Sequence, residues 1–352
     1  MITSILIGLA ALSLLVLTHE LGHFFSAKAV KVRVEEFGIG FPPKLLSLKL
    51  GETLYTINAI PFGGFNKLTG EEDPTHPRSF ASKNVAARLL VLGAGSIMNI
   101  LLSLLLLSAA FMVPHNIVSG KVVVREVADD SPAAISGIQS GDTIISINGK
   151  TLNSTADLSR YVQLNLGKES EIRIEHNDGT IDEIQVTPRW RPPEGQGAIG
   201  VLVGTAEATI VRQSEPFWRA IPQAAQSQLE IFVLYKNGII SMVIGSVPAA
   251  LIGPVGIVQM TGEVAKAGIS PLLELTAFIS LILGIVNLFP IPALDGGRIA
   301  FVLLEWVRRG KRVSAKTERK IHAIGFFLLI AAMLAITYQD ISRIITGESL
   351  IP

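Results

Sequence analysis

The sequence contains no cysteine. That absence excludes disulfides, thiolate nucleophiles, iron–sulfur clusters and every zinc site built on Cys, so any metal must be held by His, Asp or Glu. Charge is sparse too. Charged residues make up 17% of the 352 against 49% hydrophobic, and mean hydropathy is +0.48, which places much of the chain in lipid. Nor is there a surplus of either sign. Thirty Lys and Arg against 29 Asp and Glu leave a net charge of +1, so the overall charge gives no reason to expect a nucleic-acid partner.

Four apolar runs are long enough to cross a bilayer, which takes about 20 residues. They are Ile2 to Thr18, continuing through His19, Glu20 and His23 to Val30; Leu89 to Val113; Leu272 to Pro292; and Ile321 to Tyr338. A fifth uncharged stretch, Gly238 to Met260, is broken by Pro248, Gly253, Pro254 and Gly256 and reads as irregular or interfacial. Orientation follows from the cations, because loops rich in Lys and Arg stay in the cytoplasm. Nine fall between the first two runs, from Lys28 to Arg88, and eight between the last two, from Arg298 to Lys320. The long middle segment dilutes twelve over a far greater length. Both termini and the middle segment are therefore expected outside.

The middle segment alternates as strands do. Val122, Val124 and Val127, then Ile144, Ile145 and Ile147, then Ile172, Ile174, Ile181, Ile184 and Val186 mark them, with turns at Asn148-Gly149 and Asp178-Gly179. The motifs Ser131-Pro-Ala-Ala-Ile-Ser-Gly-Ile138, Gly141-Asp-Thr-Ile144 and Ile147-Asn-Gly149 resemble a PDZ domain. Gly197-Ala-Ile-Gly-Val201 is similar to its carboxylate-binding loop and comes last, as in circularly permuted PDZ domains. The resemblance implies that Gly197, Ile199 and Gly200 bind peptide.

His19-Glu20-Leu21-Gly22-His23 is H-E-x-x-H. On a helix the two imidazoles share a face and reach one Zn²⁺, while Glu20 beside them can take a proton from water as general base. The alternative, two histidines pairing with nearby polar groups, is disfavoured because ionisable side chains at membrane depth are costly. A catalytic zinc needs a third protein ligand. Phe24, Phe25, Ser26, Ala27 and Lys28 exclude a nearby third His. His115 and His176 fall outside, His76 in a Pro-rich loop, and His322 at the start of the fourth run, where a solvated or interfacial role is expected. Asp295 remains. It follows the third run in Asn287-Leu-Phe-Pro-Ile-Pro-Ala-Leu-Asp-Gly-Gly-Arg298, whose breakers permit irregular backbone around a buried site. The first and third runs cross in the same direction, so His19, His23 and Asp295 share a depth near the cytoplasmic side. A helix cap or a partner for Arg298 is the other reading of Asp295.

H-E-x-x-H in the first membrane helix, a PDZ-like insert and N-x-x-P-x-P-x-L-D-G-G-R at the third together resemble the site-2 protease family of intramembrane zinc metalloproteases, closest to its bacterial regulator of sigma-E protease branch. The fold expected is a polytopic α-helical membrane protein with four transmembrane helices, a cytoplasmic membrane-associated β-hairpin region and an inserted extracytoplasmic PDZ domain. Its parts are the first transmembrane helix 1–30, a cytoplasmic loop with a re-entrant β element 31–87, and the second helix 88–114. The PDZ domain 115–203 and an amphipathic linker 204–270 come next. The third helix with the Asp-Gly motif 271–298, a cytoplasmic amphipathic segment 299–320, the fourth helix 321–340 and a tail 341–352 complete the chain.

The resemblance implies one catalytic Zn²⁺ on His19, His23 and Asp295, with Glu20 as base. It further implies Asn287, and secondarily Asn99, as substrate-positioning residues; interhelical hydrogen bonding is the alternative for both. The β element, including Gly63, Gly64 and Phe65, would receive an extended substrate by strand addition, or else be an ordinary hairpin. Expected partners are the lipid bilayer and single-span transmembrane proteins already trimmed outside, such as anti-sigma factors or signal-peptide remnants, in a bacterial cytoplasmic membrane. The PDZ domain would bind carboxylate termini or act as a size filter. A catalytically inactive scaffold that binds protein tails through its PDZ domain is the competing class.

Overall fold

The computed structural model describes residues 2–247 and 252–346, apart from the side chains of Pro61 and Phe62. It divides into two units, residues 1–110 with 251–352, and residues 111–250.

In the first unit α1 (Ile2–Ala29) leads into two long antiparallel strands, β1 (Val34–Leu50) and β2 (Thr53–Leu68), and then α2 (Val85–Met112). The register shows each strand pairing twice. Phe37 lies opposite both Tyr55 and Asn66, Gly38 opposite Thr56 and Phe65, and Tyr55 also faces Leu48. Four segments thus lie side by side in the order 44–50, 53–58, 34–39, 64–68. The sequence reading saw β propensity at Thr53 to Ile57 and breakers at Asn58 to Phe65. The breakers instead lie within β2, where the register shifts and Gly63 takes φ +94°.

Glu52, in the turn between β1 and β2, ties this sheet to the end of α1. It accepts from Arg78 Nη1 and Nη2 at 2.7 and 2.8 Å and from Lys28 Nζ at 2.8 Å. Arg78 first, then Lys28, holds its carboxyl at about 2, below the ordinary 4.5. A depressed folded-state value contributes stability that is complete above pH 4.5 and lost as pH falls through about 2. Acidification across that window is expected to lower the protection factors of the amides at residues 53–57, measured against the unstructured rate at each pH, in the wild-type protein. Glu52→Gln should show fast exchange at neutral pH as well; wild-type protection in that variant would count against the anchor.

In the second unit β3 (His115–Val127), the short α3 (Pro132–Ile135), β4 (Thr143–Ile147) and β5 (Lys150–Thr151) precede α4 (Thr155–Leu164). Then come β6 (Ser170–Glu175), β7 (Ile181–Val186), β8 (Val201–Gln213) and α5 (Phe217–Val243). The sheet runs β7-β6-β4-β3-β8, with β5 beside β4. Val122, Val124, Ile144, Ile147, Ile172, Ile174 and Val186 point into one core, as their alternation predicts, whereas Ile181 is exposed. Ser131 and Ser154 cap α3 and α4 by accepting from the amides of Ala134 and Asp157. β8 pairs with β3 as far as Gln213, so the strand outruns the boundary expected at residue 203. Residues 204–270, expected as an amphipathic or linker region, hold the rest of β8, α5 and a further helix. Arg160 to Glu230 at 2.6 Å and Asn237 Nδ2 to the Gln163 carbonyl at 2.7 Å dock α5 on α4.

The first unit resumes with α6 (Pro254–Ala267), α7 (Ile269–Asn287), α8 (Asp295–Val307) and α9 (Ala315–Thr346). Within the Gly238 to Met260 stretch, residues 248–251 lie outside those described. On either side the chain is helical rather than irregular, to Val243 in α5 and from Pro254 in α6. Pro254 opens α6 at a position that needs no amide donor, and the Gly256 amide donates to buried Asp340 Oδ2 at 2.8 Å. α6 packs on α1, α7 and α9. Its 14 residues span about 21 Å, short of a bilayer core of about 30 Å. Among the described residues four helices, α1, α2, α7 and α9, are long and apolar enough to cross a membrane. The third ends at Asn287, short of the expected Pro292, and the expected break in Asn287–Arg298 holds Pro290, Pro292 and a left-handed Ala293 (φ +78°) before Asp295 opens a separate helix within the 271–298 region. The fourth runs from Ala315 to Thr346, past both expected ends and into the expected tail, and residues 347–352 lie outside those described.

Candidate metal centre

His19 and His23 are one turn apart on α1, both buried, with ring centroids 4.8 Å apart and nearly perpendicular. Their Nε2 atoms are 3.1 Å apart, and Asp295 Oδ2 lies 3.0 Å from the first and 3.1 Å from the second. Among the described residues this is the one group of three His, Asp or Glu side chains close enough to share a metal.

The donor set fits a cation. His23 Nδ1 lies 2.8 Å from the Val91 carbonyl, which can only accept, so Nδ1 carries the ring proton and Nε2 presents a lone pair. Asp295 Oδ2 presents lone pairs to the same point. Lone pairs meeting at 3.1 Å repel unless something positive lies among them. Two imidazoles and a carboxylate suit Zn²⁺ at about 2.0–2.2 Å, and a tetrahedron of that size has edges of about 3.3 Å, close to the separations found.

Neighbouring elements shape this space. A β-carbon at Gly95 of α2 would lie 2.5 Å from His23 Nε2 and 2.7 Å from His19 Cε1. One at Gly22 would lie 2.4 Å from the Ala94 carbonyl, so glycine on each helix lets α1 and α2 approach. Asp295 sits in the first turn of α8, where the helix dipole favours a carboxylate. Gly296 and Gly297 let that turn press on the backbone at Leu288, Phe289 and Ile291. Farther along α8, Glu305 meets Arg88 of α2 at 2.7 Å, both nearly buried, and Arg312 at 3.2 Å, which fixes α8 against α2. Burial raises the Glu305 carboxyl, but the two arginines outweigh it and hold the group below its ordinary value.

Glu20, beside the histidines, is half-buried. Asn66 Nδ2 of β2 donates to its Oε2 at 2.7 Å and to its carbonyl at 2.8 Å. A β-carbon at Gly64 would lie 3.0 Å from Glu20 Cγ, so β2 runs directly against this side chain.

A family model described as peptidase family M50 matches residues 7–332. The chain belongs to peptidase family M50. It is a membrane-embedded, multi-pass zinc metalloprotease. A Clostridium acetobutylicum protein carrying a zinc metalloprotease name is 36% identical, with 96% of this chain and 97% of the relative aligned. The regulator of sigma-W protease RasP of Bacillus subtilis is 29% identical, with 94% and 96% aligned. A solved PDZ domain of an SdrC-like protein from Listeria monocytogenes is 26% identical and covers 24% of this chain and 87% of its own, at a TM-score of 0.21.

The peptidase places its other expected site residues unevenly. Gly64 borders Glu20, Phe65 lays its ring against Gly38, and Gly63 borders the Phe41 ring. Asn287 ends α7, eight residues before Asp295. Asn99 is fully enclosed one turn from Gly95, against Gly284 of α7. Its carbonyl accepts from Ser280 Oγ at 2.8 Å, whereas its side-chain amide has no partner among the described residues, so the interhelical hydrogen bond considered for that side chain is not formed. Gly197, Ile199 and Gly200 precede β8. The Ile199 side chain is in the core, and the Gly200 amide donates to the Gly197 carbonyl at 3.1 Å.

Asn66 and Val91 were not singled out from the sequence, because asparagine within a β-prone stretch and valine within an apolar helix carry no local signal. Gly95 does carry one: it belongs to Gly93-x-Gly-Ser-Ile-Met-Asn99, which resembles the family's stretch leading into its second helix.

Proposed function

We propose that His19, His23 and Asp295 hold the catalytic zinc and that Glu20 is the general base of peptide hydrolysis. One observation carries this reading: three metal-binding atoms from positions 19, 23 and 295 converge to within 3.1 Å beside a glutamate held by its own hydrogen bond. Zinc bound there supplies Lewis acidity to water and to the scissile carbonyl. Glu20 takes a proton from the attacking water and returns it to the leaving amine. Asn66 orients the Glu20 carboxylate, and the tautomer of His23 is set by Val91. Asn287, at the end of α7 eight residues before Asp295, is assigned to steadying the substrate backbone, and Asn99 offers an unpartnered amide one turn from Gly95.

The substrate is an extended segment of a single-span membrane protein, trimmed beforehand on the outside; anti-sigma factors and signal-peptide remnants are of this kind. A helix hides its amides, so the segment must unwind and pair. The 64–68 segment, with Gly64 and Asn66 against Glu20, is the edge for it. Leu45, Leu46, Leu48 and Leu50 at the opposite edge are 58–66% exposed, which suits contact with lipid rather than water. Cationic loops put the sheet and the metal centre toward the cytoplasm, with both termini and the 111–250 unit outside a bacterial cytoplasmic membrane. Within that unit residues 115–203 form a permuted PDZ domain, a reading supported by the strand order, with β8 at the edge of the sheet among the described residues.

Chelation is expected to abolish cleavage of a model single-span substrate by the purified full-length protein, and stoichiometric zinc to restore it. Asp295→Asn should lower zinc occupancy at a given chelator strength. Cleavage that persists in metal-free protein would refute the reading.

A further inference from the structure

We infer that His322 of α9 is a positioning residue for Asp295, a role that rests on Asp295 being the third zinc ligand. Among the described side chains, Asp295 meets only the two imidazoles in the bonds that place it, so its position comes mainly through its backbone. That backbone descends from Pro292-Ala293-Leu294. Ala293 takes φ +78°, the left-handed region that a residue with a β-carbon rarely adopts, and its conformation must be secured from outside. The Ala293 amide donates to His322 Nδ1 at 2.9 Å. The bond lies two residues before the ligand and is formed by an element that contributes nothing directly to the metal centre.

The surroundings fit this turn to the imidazole. Gly325, three residues along α9, admits Pro292: a β-carbon there would lie 2.4 Å from Pro292 Cβ. Gly297 admits the ring itself, its own β-carbon position being 3.2 Å from His322 Cε1. The Phe301 ring, centred 5.6 Å away, limits how His322 can turn. Because Nδ1 accepts, Nε2 carries the ring proton. Nε2 is buried and has no partner among the described residues. His322 also helps line a cavity of about 320 Å³ with Glu72, Arg88, Glu318 and Arg319. The ring thus has one nitrogen assigned to the ligand-bearing turn, while its residue borders a polar cavity. This replaces the solvated role expected from the sequence.

The test compares zinc retention by purified full-length protein against chelators of graded strength, together with the visible spectrum after Co²⁺ substitution. His322→Leu is expected to weaken zinc binding by about 10-fold or more, the range found when a group behind a metal ligand is removed, and to alter the Co²⁺ bands. His322→Asn places a carbonyl oxygen near the Nδ1 position and should restore wild-type retention. His322→Gln places it near Nε2 and should not. Since Asn and Gln differ little in polarity, that pair decides the matter even where the leucine variant folds poorly. Wild-type retention by His322→Leu, or equal retention by the Asn and Gln variants, overturns the proposal while leaving the ligand assignment standing, provided Asp295→Asn loses zinc. Undiminished retention by Asp295→Asn overturns the ligand assignment, and the role of His322 with it.

Discussion

Glu20→Gln is expected to lower cleavage of a single-span substrate by about 10²- to 10⁴-fold, the usual contribution of a positioned general base, while zinc content stays at the wild-type level. Glutamine keeps the size of the side chain and an oxygen for Asn66 Nδ2, which lies 2.7 Å from Glu20 Oε2, so the local fold should persist. What disappears is the capacity to accept a proton. Because Glu20 is not among the three converging donor atoms, its loss should leave metal binding intact. Single-turnover cleavage and metal analysis on the same preparation separate the two properties. Equal cleavage by variant and wild type would sink the assignment; joint loss of zinc would mean Glu20 helps to hold the metal.

Gly95→Ala should have a comparable effect by the opposite route. The new β-carbon would sit 2.5 Å from His23 Nε2 and 2.7 Å from His19 Cε1, closer than non-bonded carbons and nitrogens come. Both imidazoles would have to swing away from Asp295, so zinc occupancy and cleavage should both vanish. Alanine in a helix interior is otherwise favoured over glycine by about 1 kcal/mol, so the fold of α2 should not suffer. Metal analysis combined with circular dichroism distinguishes a folded, metal-free protein from a misfolded one. A folded Gly95→Ala protein with full zinc and full activity would show that the metal lies elsewhere.

These variants mark where the sequence was informative. H-E-x-x-H is legible because both histidines belong to one helix and the four-residue step alone sets their common face. Asp295 is legible for a different reason: breakers at membrane depth leave a charged residue with little to do except meet a site. The breakers between Asn287 and Arg298 marked this break, but the apolar run was followed to Pro292 and so past the true helix end at Asn287, because hydropathy alone has no way to weigh backbone such as the left-handed Ala293. The strands of the 111–250 unit follow from alternation, which is local. α6 was hidden because Gly253, Pro254 and Gly256, breakers in isolation, here form a helix start fitted around Asp340, 84 residues away. Asn66 is 46 residues from Glu20 and His322 is 29 from Ala293. Neither pairing leaves a periodic trace, because each depends on how two separately formed elements meet.

The separation of the three converging side chains along the chain also has a meaning for biosynthesis. His19 and Asp295 are 276 positions apart. During synthesis the first membrane helix enters the bilayer with two histidines and a glutamate already in place, yet the third donor is not made until most of the protein has been translated. A hydrolase that could act while half-built would threaten every membrane protein inserting beside it. On the proposed ligand set, the metal site cannot be complete until the segment bearing Asp295 has arrived and folded against α1 and α2.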